Sequence, residues 1–151
     1  MKLSTIEKTF TIAAVTALAP GMAPKAKAES KGCSNATLKG AFSQRGSGFV
    51  TAPAALAGPF AGVVTDTFDG NGNIMGTATV SIHGNIVPVT EMGTYKVNPD
   101  CTGTYTVVFS VGGTTTVSFV TTDGGNEIQA ICTDPGTALT HIFRRLFPVG
   151  D

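Results

Sequence analysis

From Thr102 to Val111 the chain alternates. Tyr105, Val107, Phe109 and Val111 fall on one side, and Thr104, Thr106 and Ser110 on the other. A repeat of two residues is that of a pleated strand with one face turned to a core. The pattern recurs along the chain, and each run is closed by a turn-forming sequence. Leu38–Val50 is followed by the small, proline-containing stretch 51–58, and Phe60–Asp69 by Gly70-Asn-Gly-Asn73. Ile74–His83 is followed by Gly84-Asn85, and Val87–Val97 by Asn98-Pro-Asp-Cys101. Then come Thr102–Val111, Thr114–Thr121, Glu127–Thr133 and Ala138–Phe147, separated by Gly112-Gly113, Asp123-Gly-Gly-Asn126 and Asp134-Pro-Gly136. Asn-Gly and Gly-Gly steps supply the positive φ angles that tight hairpins need.

Eight short runs with short connections predict an antiparallel meander. Such a sheet removes its exposed edges most completely by closing on itself. The expected fold is therefore all-β, a single eight-stranded antiparallel barrel; a two-layer β-sandwich is the alternative.

The first residues read differently. Lys2 and Lys8 precede the apolar stretch Phe10–Ala19, and Ala26-Lys27-Ala28 places small residues where a signal peptidase reads them. The apolar stretch is about half the roughly 20 residues that a membrane helix requires. The expectation is a secretory signal over residues 1–28, a barrel domain over 29–151 with no membrane span, and a secreted or periplasmic protein. Ten basic residues balance ten acidic ones, and no basic cluster lies beyond Arg144-Arg145, so nucleic acid is not an expected partner. Tryptophan is absent, whereas the 19 glycines fit strands and turns.

Polar residues on otherwise apolar faces mark where chemistry could lie. Asp66 shares a face with Phe60, Val64 and Phe68, and Glu91 with Val87, Val89 and Tyr95. Gln44 follows Leu38 and Phe42, while His141 and Arg145 lie with Leu139, Phe143 and Phe147. Buried carboxylates need a cation, a donor, water or a ligand. Gln44, Asp66, Glu91, Tyr105, His141 and Arg145 are accordingly the candidate ligand-binding residues. The alternatives are a register shift that turns some of them outward, or a Glu91–Arg145 pair near a barrel mouth. His83 shares the face of Met75, Thr77 and Thr79 and is expected to face solvent. No metal-ligand spacing, phosphate loop or nucleophile elbow occurs, so neither a metal nor a cofactor is expected. Asp69-Gly-Asn-Gly-Asn73 lacks the closing glutamate of a calcium loop and reads as a hairpin turn.

Cys33, Cys101 and Cys132 allow one internal disulfide. Cys33 precedes the first strand and Cys101 lies in a turn, both at segment ends where two stretches of chain can meet. Cys132 sits within a strand on the face of Ile128 and Ala130. The expected pair is Cys33–Cys101, with Cys132 a buried thiol.

The segments Cys33-Ser-Asn-Ala-Thr-Leu-Lys-Gly-Ala-Phe42 and Gly93-Thr-Tyr-Lys-Val-Asn-Pro-Asp-Cys-Thr-Gly-Thr104, with Phe68-Asp-Gly-Asn-Gly72 and Thr133-Asp-Pro-Gly136, resemble those of a group of small secreted bacterial proteins. The resemblance covers nearly all of the chain beyond residue 28. It implies a small β-barrel distantly similar in architecture to allene oxide cyclases and dirigent proteins, plant barrels that bind hydrophobic molecules and steer their cyclisation or coupling. None of the plant enzymes' functional residues matches a position here. Three expectations follow: a barrel that binds a small hydrophobic ligand in its lumen, a cyclase or isomerase working without a cofactor through Asp66 or Glu91, and a structural or surface-associated protein with a filled core. Self-association is compatible with each.

Overall fold

The computed structural model describes residues 32–147; the expected secretory signal lies outside them. Eight strands form one closed barrel in simple sequence order: β1 (Gly40–Val50), β2 (Gly58–Phe68), β3 (Asn73–Ile82), β4 (Asn85–Val97), β5 (Thr102–Phe109), β6 (Thr114–Thr122), β7 (Glu127–Cys132) and β8 (Thr137–Arg145). Every neighbouring pair is antiparallel, and β8 closes onto β1 with His141 opposite Gly46. The sandwich alternative is thereby excluded. No helix among the described residues is long and apolar enough to cross a membrane.

Meander topology gives the barrel two unlike ends. At the lower end lie a 3-10 turn at Asn35–Leu38, the β2–β3 and β4–β5 turns and a second 3-10 turn at Asp123–Gly125. At the upper end lie the segment 51–57 and the β3–β4, β5–β6 and β7–β8 connections. The lower lumen is filled. Leu38, Phe42, Phe68, Ile74, Ile128 and Phe143 are essentially inaccessible. Phe68 meets Phe42, Tyr95 and Phe143 edge to face, with centroids 5.3, 5.0 and 6.2 Å away, the arrangement that the ring quadrupole favours. Towards the upper end a smaller cluster of Ala78, Val80 and Val89 is ringed by half-buried Phe60, Val64, Ile82 and Val87.

The lower end is locked by two devices. Cys33 and Cys101 form a disulfide with Cα atoms 4.9 Å apart, tying the segment before β1 to the β4–β5 turn. Arg145 points down from β8. Its guanidinium donates to the carbonyl oxygens of Lys39 (2.5 Å), Thr37 (2.8 Å) and Gly125 (2.9 Å), its Nε donates to Asn126 Oδ1 (3.0 Å), and its Cζ lies 4.5 Å from the centre of the Phe42 ring. Tyr95 joins this end, donating its hydroxyl to the carbonyl of Asn35 at 2.9 Å and accepting from the Gly70 amide at 3.0 Å.

The sequence expectations need correction at strand ends. Val111 and Phe147 are not interior: β5 ends at Phe109 and β8 at Arg145, which leaves both side chains well exposed. Alternation persists past a strand end as a pattern of letters, while the backbone has already left the ladder. β2 starts at Gly58 and includes Pro59, whose ring is exposed and whose missing N–H the barrel tolerates at a strand's first turns. His83 is exposed as expected, although it lies in the β3–β4 turn with a φ of 54° and not on a strand face. In the β2–β3 turn, Asp69 Oδ1 accepts from the amides of Asn71, Gly72 and Asn73 at 2.7–2.9 Å, and these donors hold its carboxyl down to about 2. The turn thus uses its own carboxylate to fix its backbone.

Candidate functional site

Between the filled lower lumen and the apolar upper end lies a layer of buried polar side chains. It begins with a row across three strands. Asp66 on β2 is paired with Gly76 on β3, and Gly76 with Glu91 on β4. All three positions point inward. A Cβ built on Gly76 would collide with Asp66 Oδ1 and lie 3.2 Å from Glu91 Cγ. The absent side chain of Gly76 is therefore the space in which the two carboxyl groups meet. Asp66 is wholly buried and Glu91 nearly so.

The charge of this pair has no counterion among the described residues. Of the described lysine and arginine side chains only Arg145 is buried, and it is spent on acceptors at the lower end. Neither oxygen of Asp66 has a donor among the fixed N–H and O–H groups. The remaining partner is Glu91, and two carboxylates bond only if a proton lies between them. Desolvation, and then the neighbouring charge of Glu91, push the Asp66 carboxyl up to about 9. Desolvation also raises Glu91, partly offset by its hydrogen bond with Asp66. Repulsion of like charges in a poorly hydrated space keeps one proton on the pair.

A second chain of contacts continues around the wall. Gln44 Nε2 lies 2.7 Å from His141 Nδ1, and His141 Nε2 lies 3.4 Å from Cys132 Sγ. Cys132 in turn meets Thr115 Oγ1 at 3.6 Å, and Thr115 donates to Asp134 Oδ2 at 2.5 Å. His141 fits because Gly46, opposite it on β1, has no Cβ to occupy the place of the ring. Burial lowers the imidazole to about 4 and raises the Cys132 thiol, so the two are a neutral imidazole and thiol, not the ion pair of an activated cysteine nucleophile. Tyr105 stands in the same layer. Burial, and then the fields of Glu91, Asp66 and Cys132, keep its phenol protonated.

Five of the six residues singled out in the sequence, Gln44, Asp66, Glu91, Tyr105 and His141, are thus buried inward-facing positions of the barrel. The sixth, Arg145, is buried on the same face at the end of β8, where carbonyl oxygens hold its guanidinium, so the alternative of a Glu91–Arg145 pair does not form. Cys132 was read only as a buried thiol, and its contact with His141 is a cross-strand relation that spacing along the chain does not reveal. Among the described residues no group of three histidine, cysteine or acidic side chains has the geometry to hold a metal ion. Two grooves of about 690 and 680 Å³ lie on the barrel's outer wall, the first beside Arg45, Thr65 and Thr79, the second beside Thr104, Ser118 and Ile131. No protein-family model matches the chain, and no curated protein matches it.

Proposed function

We propose that this protein is an exported small-molecule-binding barrel, whose ligand enters the upper end and rests a polar group on the Asp66–Glu91 pair. The observation that carries the reading is the Asp66–Gly76–Glu91 row. A scaffold with a purely mechanical task gains nothing from two carboxyl groups desolvated together without a cation, since burying such groups unpaired is among the more expensive choices a core can make. The half-buried Phe60, Val64, Ile82, Val87 and Phe109 offer an apolar wall above the pair, the usual composition of a small-ligand site. The paired cysteines and the leader-like first residues support export.

A second reading has its own observation. A carboxyl pair that holds a single proton beside a protonated tyrosine can both give and take a proton, which a cofactor-free isomerase requires. Native mass spectrometry of the protein isolated from its own host tests the binding reading. A small molecule is expected to travel with the barrel and to be displaced by Ala78→Leu, which fills the upper lumen. A barrel that arrives empty and takes up no eight-carbon amine, alcohol or carboxylate overturns it.

A further inference from the structure

The polar layer has a chemical bias that narrows the ligand. Among the described residues three buried side-chain polar atoms have no fixed N–H or O–H donor, Asp66 Oδ1, Asp66 Oδ2 and Gln44 Oε1; the proton shared with Glu91 engages one Asp66 oxygen and leaves the other unpaired, with Gln44 Oε1. Gln44 is itself more than nine-tenths buried. It lies on β1 diagonally across from Asp66 on β2, since Phe42 pairs with Asp66 and Gln44 with Val64; such diagonal neighbours are within reach of long side chains. Unpaired acceptors of two different residues thus occupy diagonal, buried positions of neighbouring strands. Its donors are already turned elsewhere, for Gln44 Nε2 is directed to His141 Nδ1.

Charge points the same way. Repulsion holds a proton on the carboxyl pair and leaves the other carboxyl the group that ionises, and the only buried Lys or Arg among the described residues is held by carbonyl oxygens at the other end. We infer that the ligand of this site is an apolar amine, bound as its ammonium ion with the N–H groups on Asp66, Glu91 and Gln44 and the hydrocarbon part against Phe60, Val64 and Val87. An ammonium group has three donors and no acceptor, which complements the free Asp66 oxygen, Gln44 Oε1 and the carboxyl of Glu91, and its positive charge suits a carboxyl pair without a cation. An alcohol offers one donor and no charge. A carboxylate adds a further negative charge to a site that already shares a proton to shed one. This inference rests on the binding reading above, and narrows it from any apolar molecule to one chemical class.

The test compares three probes of equal chain length, octylamine, octanol and octanoate, by isothermal titration calorimetry on the full-length mature protein. Octylamine is expected to bind at least about tenfold more tightly than octanol, the equivalent of about 1.4 kcal/mol, with octanoate weakest. Glu91→Gln, checked for a native thermal transition, should reduce that preference to near parity; Asp66→Asn, a second variant that keeps shape, should do likewise. Octanol binding as tightly as octylamine, or octanoate binding most tightly, overturns the amine inference and leaves the binding reading standing. Binding of none of the three overturns both.

Discussion

Two glycines do more for the interior than most of the side chains around them. Gly76 is needed because its neighbours are Asp66 and Glu91, and Gly46 because its neighbour is His141. Neither requirement comes from backbone φ, since neither residue has a positive φ; each is a demand for vacant space. Gly76→Ala should therefore destabilise the barrel by about 1–3 kcal/mol, the usual range for overpacking, although alanine is ordinarily the better strand residue. Urea denaturation checks this, and an unchanged or raised midpoint would show that the carboxyl groups do not occupy that space. Arg145 allows a sharper test. Arg145→Lys keeps the charge but loses the planar fork that reaches four acceptors at once, so it should fail to rescue Arg145→Met, both variants losing about 2–4 kcal/mol as buried carbonyls are left unpaired.

At the scale of strands the alternation predicts strongly unequal effects on neighbouring positions. Phe68 is 1% exposed and Met75, on the adjoining strand, 62%. Phe68→Ala should cost about 3–5 kcal/mol, whereas Met75→Ala should stay within about 0.5; similar losses in the two would mean that the register between β2 and β3 is wrong. Strand order, closure and most faces were legible from the sequence because period two and Asn-Gly turns are local signals. The strand ends at Val111 and Phe147 were not, because a ladder stops where its partner stops, and the partner lies elsewhere in the chain. The same limit applies to the site. That Asp66 and Glu91 point inward could be read from their own strands. Their meeting across Gly76, the approach of Cys132 to His141 and the commitment of Arg145 to the lower end depend on registers between strands, which no single run contains.

The whole molecule should show opposed pH dependences. Asp66 has a folded pKa of about 9 against an ordinary 3.8, so the stability linked to its proton is complete below the lower value and is lost as pH rises through the higher. His141, lowered from 6.5 to about 4, contributes above 6.5 and loses its contribution as pH falls through 4. One group can supply a slope of up to about 1.4 kcal/mol per pH unit. Stability measured by denaturant should therefore fall on alkaline titration towards 9, and Asp66→Asn should flatten that limb while leaving the acid limb, which belongs in part to His141. Reduction of the Cys33–Cys101 bond, which spans a sequence separation of 68, should remove roughly 4 kcal/mol on a chain-entropy argument, and non-reduced peptide mapping should recover that pair with Cys132 unlinked. All of these fastenings, the disulfide, the Arg145 latch and the edge-to-face rings about Phe68, gather at one end of the barrel. Amide protons should accordingly exchange with deuterium along a gradient, slowest beside Cys101 and Arg145 and fastest beside the segment 51–57, because local opening begins where few contacts resist it. A guest could then come and go by fraying of the upper rim, on a timescale set by a few strand ends, while the lower half keeps its shape.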